Sequence, residues 1–140
     1  MKIKDIMTKQ VVTVSPGETV EVAARMLTHY NIGILPVCSA DGSLRGLVTD
    51  RDLVTRCVAS NKDPAKTLVK DVMTDGVTSI RADMDTAVAA HLMGRQQIRR
   101  LPVVEEGKLC GMVSLADMAT REDCVMDAAD ALMDISDNVR

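Results

Sequence analysis

The sequence predicts a mixed α/β (α+β) protein made of two copies of one unit, followed by an extra C-terminal helix. Three observations carry this. The stretch Gly46-Leu47-Val48-Thr49-Asp50-Arg51-Asp52-Leu53 reads as a hydrophobic strand that stops at a threonine, with a carboxylate three residues on and an apolar run of helical spacing behind it. The arrangement returns at Gly111-Met112-Val113-Ser114-Leu115-Ala116-Asp117-Met118. Third, one constant shift of the chain along itself sets Asp5-Ile6-Met7-Thr8 on Asp71-Val72-Met73-Thr74, Ala23-Ala24 on Ala89-Ala90, Ile32 on Ile98, and Leu35-Pro36-Val37 on Leu101-Pro102-Val103. After one deletion Gly42, Leu44, Gly46, Val48 and Asp52 fall on Gly107, Leu109, Gly111, Val113 and Asp117. Two such units are too few for an extended stack, so they are expected to pack face to face as a closed pair.

In the first copy Val11 to Val14 reads as a short strand. Ser15-Pro16-Gly17-Glu18 follows as a capping-box serine and glutamate with proline at the first helical position, which predicts that a helix starts there. Val20, Ala23, Ala24 and Leu27 give that helix one apolar stripe, and Asn31-Ile32-Gly33 ends it. Ile34 to Cys38 reads as a strand, Asp41-Gly42 as a hairpin turn, and Leu44 to Val48 as its antiparallel partner. A last helix runs from about Asp50. The second copy repeats the order, with Glu106-Gly107 as a weaker turn. Residues 1–60 form unit one, 61–69 a polar linker around Ser60-Asn61-Lys62-Asp63-Pro64, 70–121 unit two, and 122–140 an acidic helix with no counterpart in unit one. That last segment carries six acidic residues, with Met126, Ala129, Leu132 and Met133 at helical spacing for docking on the domain or on a second copy.

With 140 residues the chain is long enough to bury about two-thirds of its unfolded surface. Tyr30 is its one aromatic residue and its formal charge is -3, so it offers neither a stacking platform nor a basic stripe. Nucleic acid is excluded as the partner on that ground. No apolar run is long enough to span a bilayer, and Met1-Lys2-Ile3-Lys4-Asp5 opens no signal peptide, which predicts a cytoplasmic protein with no membrane partner. Cys38, Cys57, Cys110 and Cys124 stand singly and are read as reduced thiols, and His29 and His91 as isolated histidines; no metal ligand set is expected.

The Asp-Ile/Val-Met-Thr opening, the Leu-Pro-Val strand and the Gly-h-h-Ser/Thr-x-x-Asp close (h, a hydrophobic residue), each present twice, resemble a tandem pair of CBS domains, also called a Bateman module. The similarity covers about residues 3–121. It implies two β-α-β-β-α units joined through their sheets in pseudo-twofold symmetry. The two clefts this leaves bind, in many members, adenosine-containing ligands such as AMP, ADP, ATP or S-adenosylmethionine. No enzyme or transporter is attached to this chain, so it looks like the stand-alone kind.

By that resemblance Asp52 and Asp117 accept hydrogen bonds from both ribose hydroxyls, and Thr49 and Ser114 donate to phosphate. Both tetrads are also relatives of the capping box, which on its own would serve only to start a helix. The cleft closed by Ser114 and Asp117 is expected to take Arg99 and Arg100, with Thr8, Val12, Ile32 and Gly33 reaching in from unit one. Two guanidiniums suit a phosphate, although they equally suit a strand edge kept soluble by charge. The Thr49/Asp52 cleft has Gly33 and Ile34 at those places, with Arg51 as its own basic residue and Arg99 at its border, so it is expected to be the weaker nucleotide site unless Arg51 turns inward. Thr74 is the repeat mate of Thr8. The adenine would lie between aliphatic side chains, Val12, Ile32 and Ile98, with backbone near Val12 or Thr78 reading its edge; these residues are also simple core candidates.

The function expected is a regulatory module sensing an adenosine-containing metabolite on behalf of an unidentified regulated protein. The alternative is a ligand-free dimerisation or interaction module. Catalysis is not expected, because no nucleophile has a base at recognisable spacing and there is no phosphate-binding glycine loop. A homodimer is expected, with the methionine-rich helical faces, Met26 with Leu27 and Met118 with Val54, read either as its adaptable apolar surface or equally as internal core.

Overall fold

The computed structural model describes residues 1–121 and 123–137. The chain builds two compact units from interleaved pieces: Val12–Val77 forms one, and Met1–Val11 together with Thr78–Arg140 forms the other.

The Val12–Val77 unit contains α1 (Val20–Tyr30), β1 (Ile34–Cys38), β2 (Leu44–Thr49) and α2 (Asp50–Leu53), which widens into a π turn over Val54–Val58, and later a 3-10 turn at Val69–Asp71. Val11 to Val14 does not form a strand of its own. Only Val14 pairs, in parallel with Val37, donating to the Pro36 carbonyl at 3.0 Å and accepting from the Cys38 N–H at 3.0 Å. The ladder cannot grow backwards because the chain before Val12 belongs to the other unit. The first helix also starts later than the sequence signal. Ser15 to Glu18 closes a turn, Glu18 N–H to Ser15 carbonyl at 3.2 Å, and Thr19 caps α1 by accepting from the Val22 N–H at 3.2 Å. The Pro16 and Glu18 carbonyls are committed instead to the N–H groups of Lys70 and Val69, at 3.0 and 2.8 Å. Of the expected stripe, Val20, Ala23 and Leu27 are buried while Ala24 is exposed. The left-handed residue that ends α1 is Asn31, with φ 52°, rather than Gly33. β1 and β2 form an antiparallel hairpin in which Ile34 lies opposite Thr49. Behind it Leu35, Val37, Val48, Leu53, Cys57, Val69 and Val72 close the core with α1.

The other unit contains a 3-10 turn at Ile3–Asp5, α3 (Thr86–Gln96), β3 (Arg100–Glu105), β4 (Lys108–Ser114), α4 (Leu115–Ala119) and α5 (Val125–Asp137). Its β3-β4 hairpin puts Arg100 opposite Ser114. Glu106 and Gly107 take φ 52° and 79°, the left-handed pair that a two-residue hairpin demands, so the turn that looked weaker in sequence is the tighter one. α5 packs on α3 and α4. Its buried face is Ala128, Ala131 and Ile135; Met126, Ala129 and Met133 of the expected docking stripe are exposed, and only Leu132 packs against the core. Small residues decide this phase: a β-carbon on Gly94 of α3 would sit 3.3 Å from the Ala131 Cα, so the two helices approach through their smallest side chains. Glu122 and residues 138–140 of the anticipated terminal helix lie outside the described residues.

Each repeat's opening segment docks on the other repeat's hairpin. Thr8 exchanges backbone bonds with Met112, 2.8 and 3.0 Å, and Thr74 does the same with Leu47, both 2.9 Å. Ile3 and Ile6 sit in the core with Leu101 and Val113, just as Val69 and Val72 sit with Leu35 and Val48. The division into 1–60, 61–69 and 70–121 therefore follows the sequence repeats, whereas the compact units exchange their first strap.

Candidate functional site

The two Ser/Thr-x-x-Asp tetrads fold identically. In the first, the Asp52 N–H donates to Thr49 Oγ1 at 3.1 Å and the Thr49 N–H donates to Asp52 Oδ2 at 2.9 Å. In the second, the Asp117 N–H donates to Ser114 Oγ at 3.1 Å and the Ser114 N–H to Asp117 Oδ2 at 2.9 Å. Each is a complete capping box, in which hydroxyl and carboxylate satisfy one orphan N–H apiece. The helix-starting reading is thus realised in both copies. It does not use up the groups. Oδ1 of Asp52 and of Asp117 accepts no hydrogen bond among the described residues, and the hydroxyl protons of Thr49 and Ser114 remain available to donate. All four side chains are half-buried. Locking each carboxylate by one oxygen fixes the direction in which the other points.

The remaining expected residues fall into two sets, one per unit. Val12, Ile32, Gly33, Arg51 and Thr74 share the Val12–Val77 unit with Thr49 and Asp52; Thr8, Thr78, Ile98, Arg99 and Arg100 share the other with Ser114 and Asp117. Thr8 is placed beside β4 by its bonds to Met112, whereas Val12, Ile32 and Gly33, expected to accompany it next to Ser114, belong to the unit of Thr49. Val12 packs against the core, Ile98 packs against the core of its own unit, and Ile32 is exposed.

Position by position the two sets differ most in charge. The Arg99 carbonyl accepts from the Leu115 N–H at 3.0 Å, and Arg100 is the register partner of Ser114, which puts the Arg100 and Ser114 side chains on one face of the hairpin. In the first copy the Gly33 carbonyl accepts from the Asp50 N–H at 3.1 Å and Ile34 is the partner of Thr49. Two exposed guanidiniums beside one carboxylate are thus matched by Arg51 beside two, Asp50 and Asp52.

Sequence reading gave no role to the glycine that opens each motif. A β-carbon on Gly46 would lie 2.5 Å from the Thr74 carbonyl oxygen, and one on Gly111 2.7 Å from Met7 Sδ and 2.9 Å from the Thr8 carbonyl oxygen. These glycines admit the exchanged straps. The only signal available was their recurrence.

Cys38, Cys57 and Cys124 are buried and Cys110 half-buried, all as free thiols. Burial pushes the Cys38 thiol pKa up, and burial with the charge of Glu105 does the same to Cys110. His29 is exposed, edge-on to Tyr30 with ring centroids 4.8 Å apart, and His91 is exposed. Among the described residues no group of three or more His, Cys, Asp or Glu is placed to hold a metal ion, and no helix is long and apolar enough to cross a membrane.

A duplicated α/β unit whose hairpins each end in a capped Ser/Thr-x-x-Asp tetrad defines a small class of paired modules. The chain belongs to the CBS-domain family, whose model matches residues 3–59 and 69–122. It is 40% identical over 134 residues to the CBS domain-containing protein YhcV of Bacillus subtilis, covering 96% of this chain and 94% of the relative. It resembles Hypoxic Response Protein I, solved with two coordinated zinc ions, at 34% identity and a TM-score of 0.78, covering 85% of this chain and 97% of that one. Hypoxic response protein 1 of Mycobacterium tuberculosis matches in sequence over 83% of this chain and 81% of its own. The CBS domain pair of protein MJ0100, solved in complex with 5'-methylthioadenosine and S-adenosyl-L-methionine, aligns at 28% identity with a TM-score of 0.75, covering 85% of this chain and 93% of that one.

Proposed function

We propose that this protein is a non-catalytic regulatory module whose two tetrads take an adenosine-containing metabolite, with AMP, ADP, ATP and S-adenosylmethionine as the candidate ligands. The observation that carries this is the half-used carboxylate: Asp52 and Asp117 are each anchored through Oδ2 and keep Oδ1 for a ribose diol. A locked acceptor is an economical way to recognise two adjacent hydroxyls, because its ordering cost is met by folding rather than by binding. The adenosine compounds bound by the MJ0100 pair support the ligand class. Arg99 and Arg100, on the hairpin that ends at Ser114, favour a phosphorylated ligand there. The module acts in the cytoplasm as a homodimer and reports ligand occupancy to a separate regulated protein.

A second reading, an interaction module without a ligand, is favoured by the exposed Met126 and Met133 of α5, which are 72% and 63% accessible. Met26 and Leu27 do not supply such a surface, since Met26 packs on the core and Leu27 is buried; Met118 is fully buried, and Val54 alone of the expected set is exposed.

Thermal shift with the four candidate ligands and 5'-methylthioadenosine separates the readings. A ligand at a hundred times its dissociation constant stabilises by about 2.7 kcal/mol. Asp117→Asn keeps an oxygen for the cap while removing the charge, so loss of the shift in that variant supports the sensor. No shift with any of the five compounds favours the interaction module.

A further inference from the structure

The two tetrads are built alike, yet the residue that follows each hydroxyl is Asp50 in one and Leu115 in the other. Asp50 is exposed, yet its carboxylate is held in one direction. Its Oδ1 accepts from the Arg51 N–H at 2.8 Å, and its Oδ2 lies 3.5 Å from where a β-carbon on Gly33 would stand. Gly33 is the repeat mate of Arg99, and both are pinned by the same backbone bond, from Asp50 N–H at 3.1 Å and from Leu115 N–H at 3.0 Å. The carboxylate of one copy therefore lies in van der Waals contact with the point from which a guanidinium chain departs in the other. Ile34 in place of Arg100 removes the second cation.

We infer that Asp50 is a specificity-determining residue that makes the Thr49/Asp52 site a site for an adenosine derivative carrying no phosphate, neutral or cationic at its 5' position, while the Ser114/Asp117 site takes the phosphorylated form. This rests on the reading of both tetrads as adenosine sites. A phosphate placed in the first copy where Arg99 and Arg100 would hold it in the second meets a carboxylate at Gly33, and like charges at that range repel. Arg51 does not cancel this, because its one charge stands beside two carboxylates, Asp50 and Asp52. A thioether or sulfonium at the 5' position carries no such penalty, and a sulfonium gains from the carboxylate. The chain would then read two forms of one nucleoside at once.

The test isolates each site in the full-length chain. Asp117→Asn leaves the Thr49/Asp52 site to be titrated alone, and Asp52→Asn leaves the other, with 5'-methylthioadenosine and AMP as the probes in calorimetry. The Thr49/Asp52 site is expected to favour 5'-methylthioadenosine over AMP by roughly tenfold or more, and the Ser114/Asp117 site to favour AMP. Adding Asp50→Asn to the Asp117→Asn chain keeps an acceptor for the Arg51 N–H and removes only the charge. The preference for 5'-methylthioadenosine should fall by about five- to tenfold. Asp50→Leu, which copies Leu115, should move it the same way. Equal or tighter AMP binding at the Thr49/Asp52 site, or a preference that neither Asp50 variant changes, overturns the inference while leaving both adenosine sites standing. Failure of both probes at both sites overturns the adenosine reading itself, and this inference with it.

Discussion

The carbonyl oxygen of Thr74 sits 2.5 Å from the point where a β-carbon on Gly46 would be built. Two residues far apart in sequence thus share one space. The same relationship links Thr8 and Met7 to Gly111, and the paired straps on β2 and β4 depend on it.

Replacing Gly46 with alanine should cost about 1–3 kcal/mol, since the obstacle is backbone that is itself hydrogen-bonded to Leu47 and can retreat only by breaking that ladder. Gly111→Ala should cost less, because the backbone oxygen it meets, that of Thr8, lies at 2.9 Å rather than 2.5 Å and its nearest obstacle is the flexible thioether of Met7. Urea denaturation of the two variants checks the order; equal costs would mean that the straps yield alike.

Fragments should follow the compact units and not the repeats. Residues 12–77 contain all of the buried cluster from Val14 to Val72, whereas residues 1–60 lack Val69 and Val72 and keep Ile3 and Ile6 with nothing to bury them. Fragment 12–77 is expected to melt cooperatively by circular dichroism and fragment 1–60 to show no transition. The reverse outcome would place the folding unit at the repeat.

The caps and the ligand should be separable by mutation. Ser114→Ala removes the acceptor for the Asp117 N–H and is expected to cost about 0.5–2 kcal/mol of stability, as helix N-cap truncations do. Asp117→Asn should cost less than Ser114→Ala in stability yet lose more in nucleotide binding. Chemical denaturation and calorimetry on the same two variants measure both effects.

Alkaline pH should weaken the fold. A thiol whose pKa is raised by folding contributes stability that is fully present below its unfolded value and is lost as pH rises through the folded one. Burial raises Cys38 and Cys110 above the ordinary 9.0, so the urea midpoint should hold up to about that pH and then fall. Cys38→Ala should flatten the decline relative to the parent chain.

Much of the candidate site could be read along the chain. Thr49-x-x-Asp52 and Ser114-x-x-Asp117 form contacts three residues apart, so their geometry is local and their recurrence marked them. The charge contrast was half visible: Arg99 and Arg100 stood out against Gly33 and Ile34, but Asp50 did not. Its importance comes from lying against Gly33, a neighbour that only the hairpin supplies. Ser15-Pro16-Gly17-Glu18 misled for a comparable reason. The sequence offers a helix start, and long-range bonds from Val69 and Lys70 hold those carbonyls in a turn instead.

By itself the amino-acid order determined what depends on neighbours a few residues apart: the duplication, the hairpins, the apolar stripe of α1 and the two capped tetrads. Tertiary structure alone decided which repeat's opening strap completes which unit, why the motif must open on glycine, and which face of α5 is buried. Those outcomes depend on contacts between segments distant in the chain, where Gly46 meets Thr74 and Gly94 meets Ala131. Periodicity within a segment records that a face is apolar; it does not record what that face will be packed against.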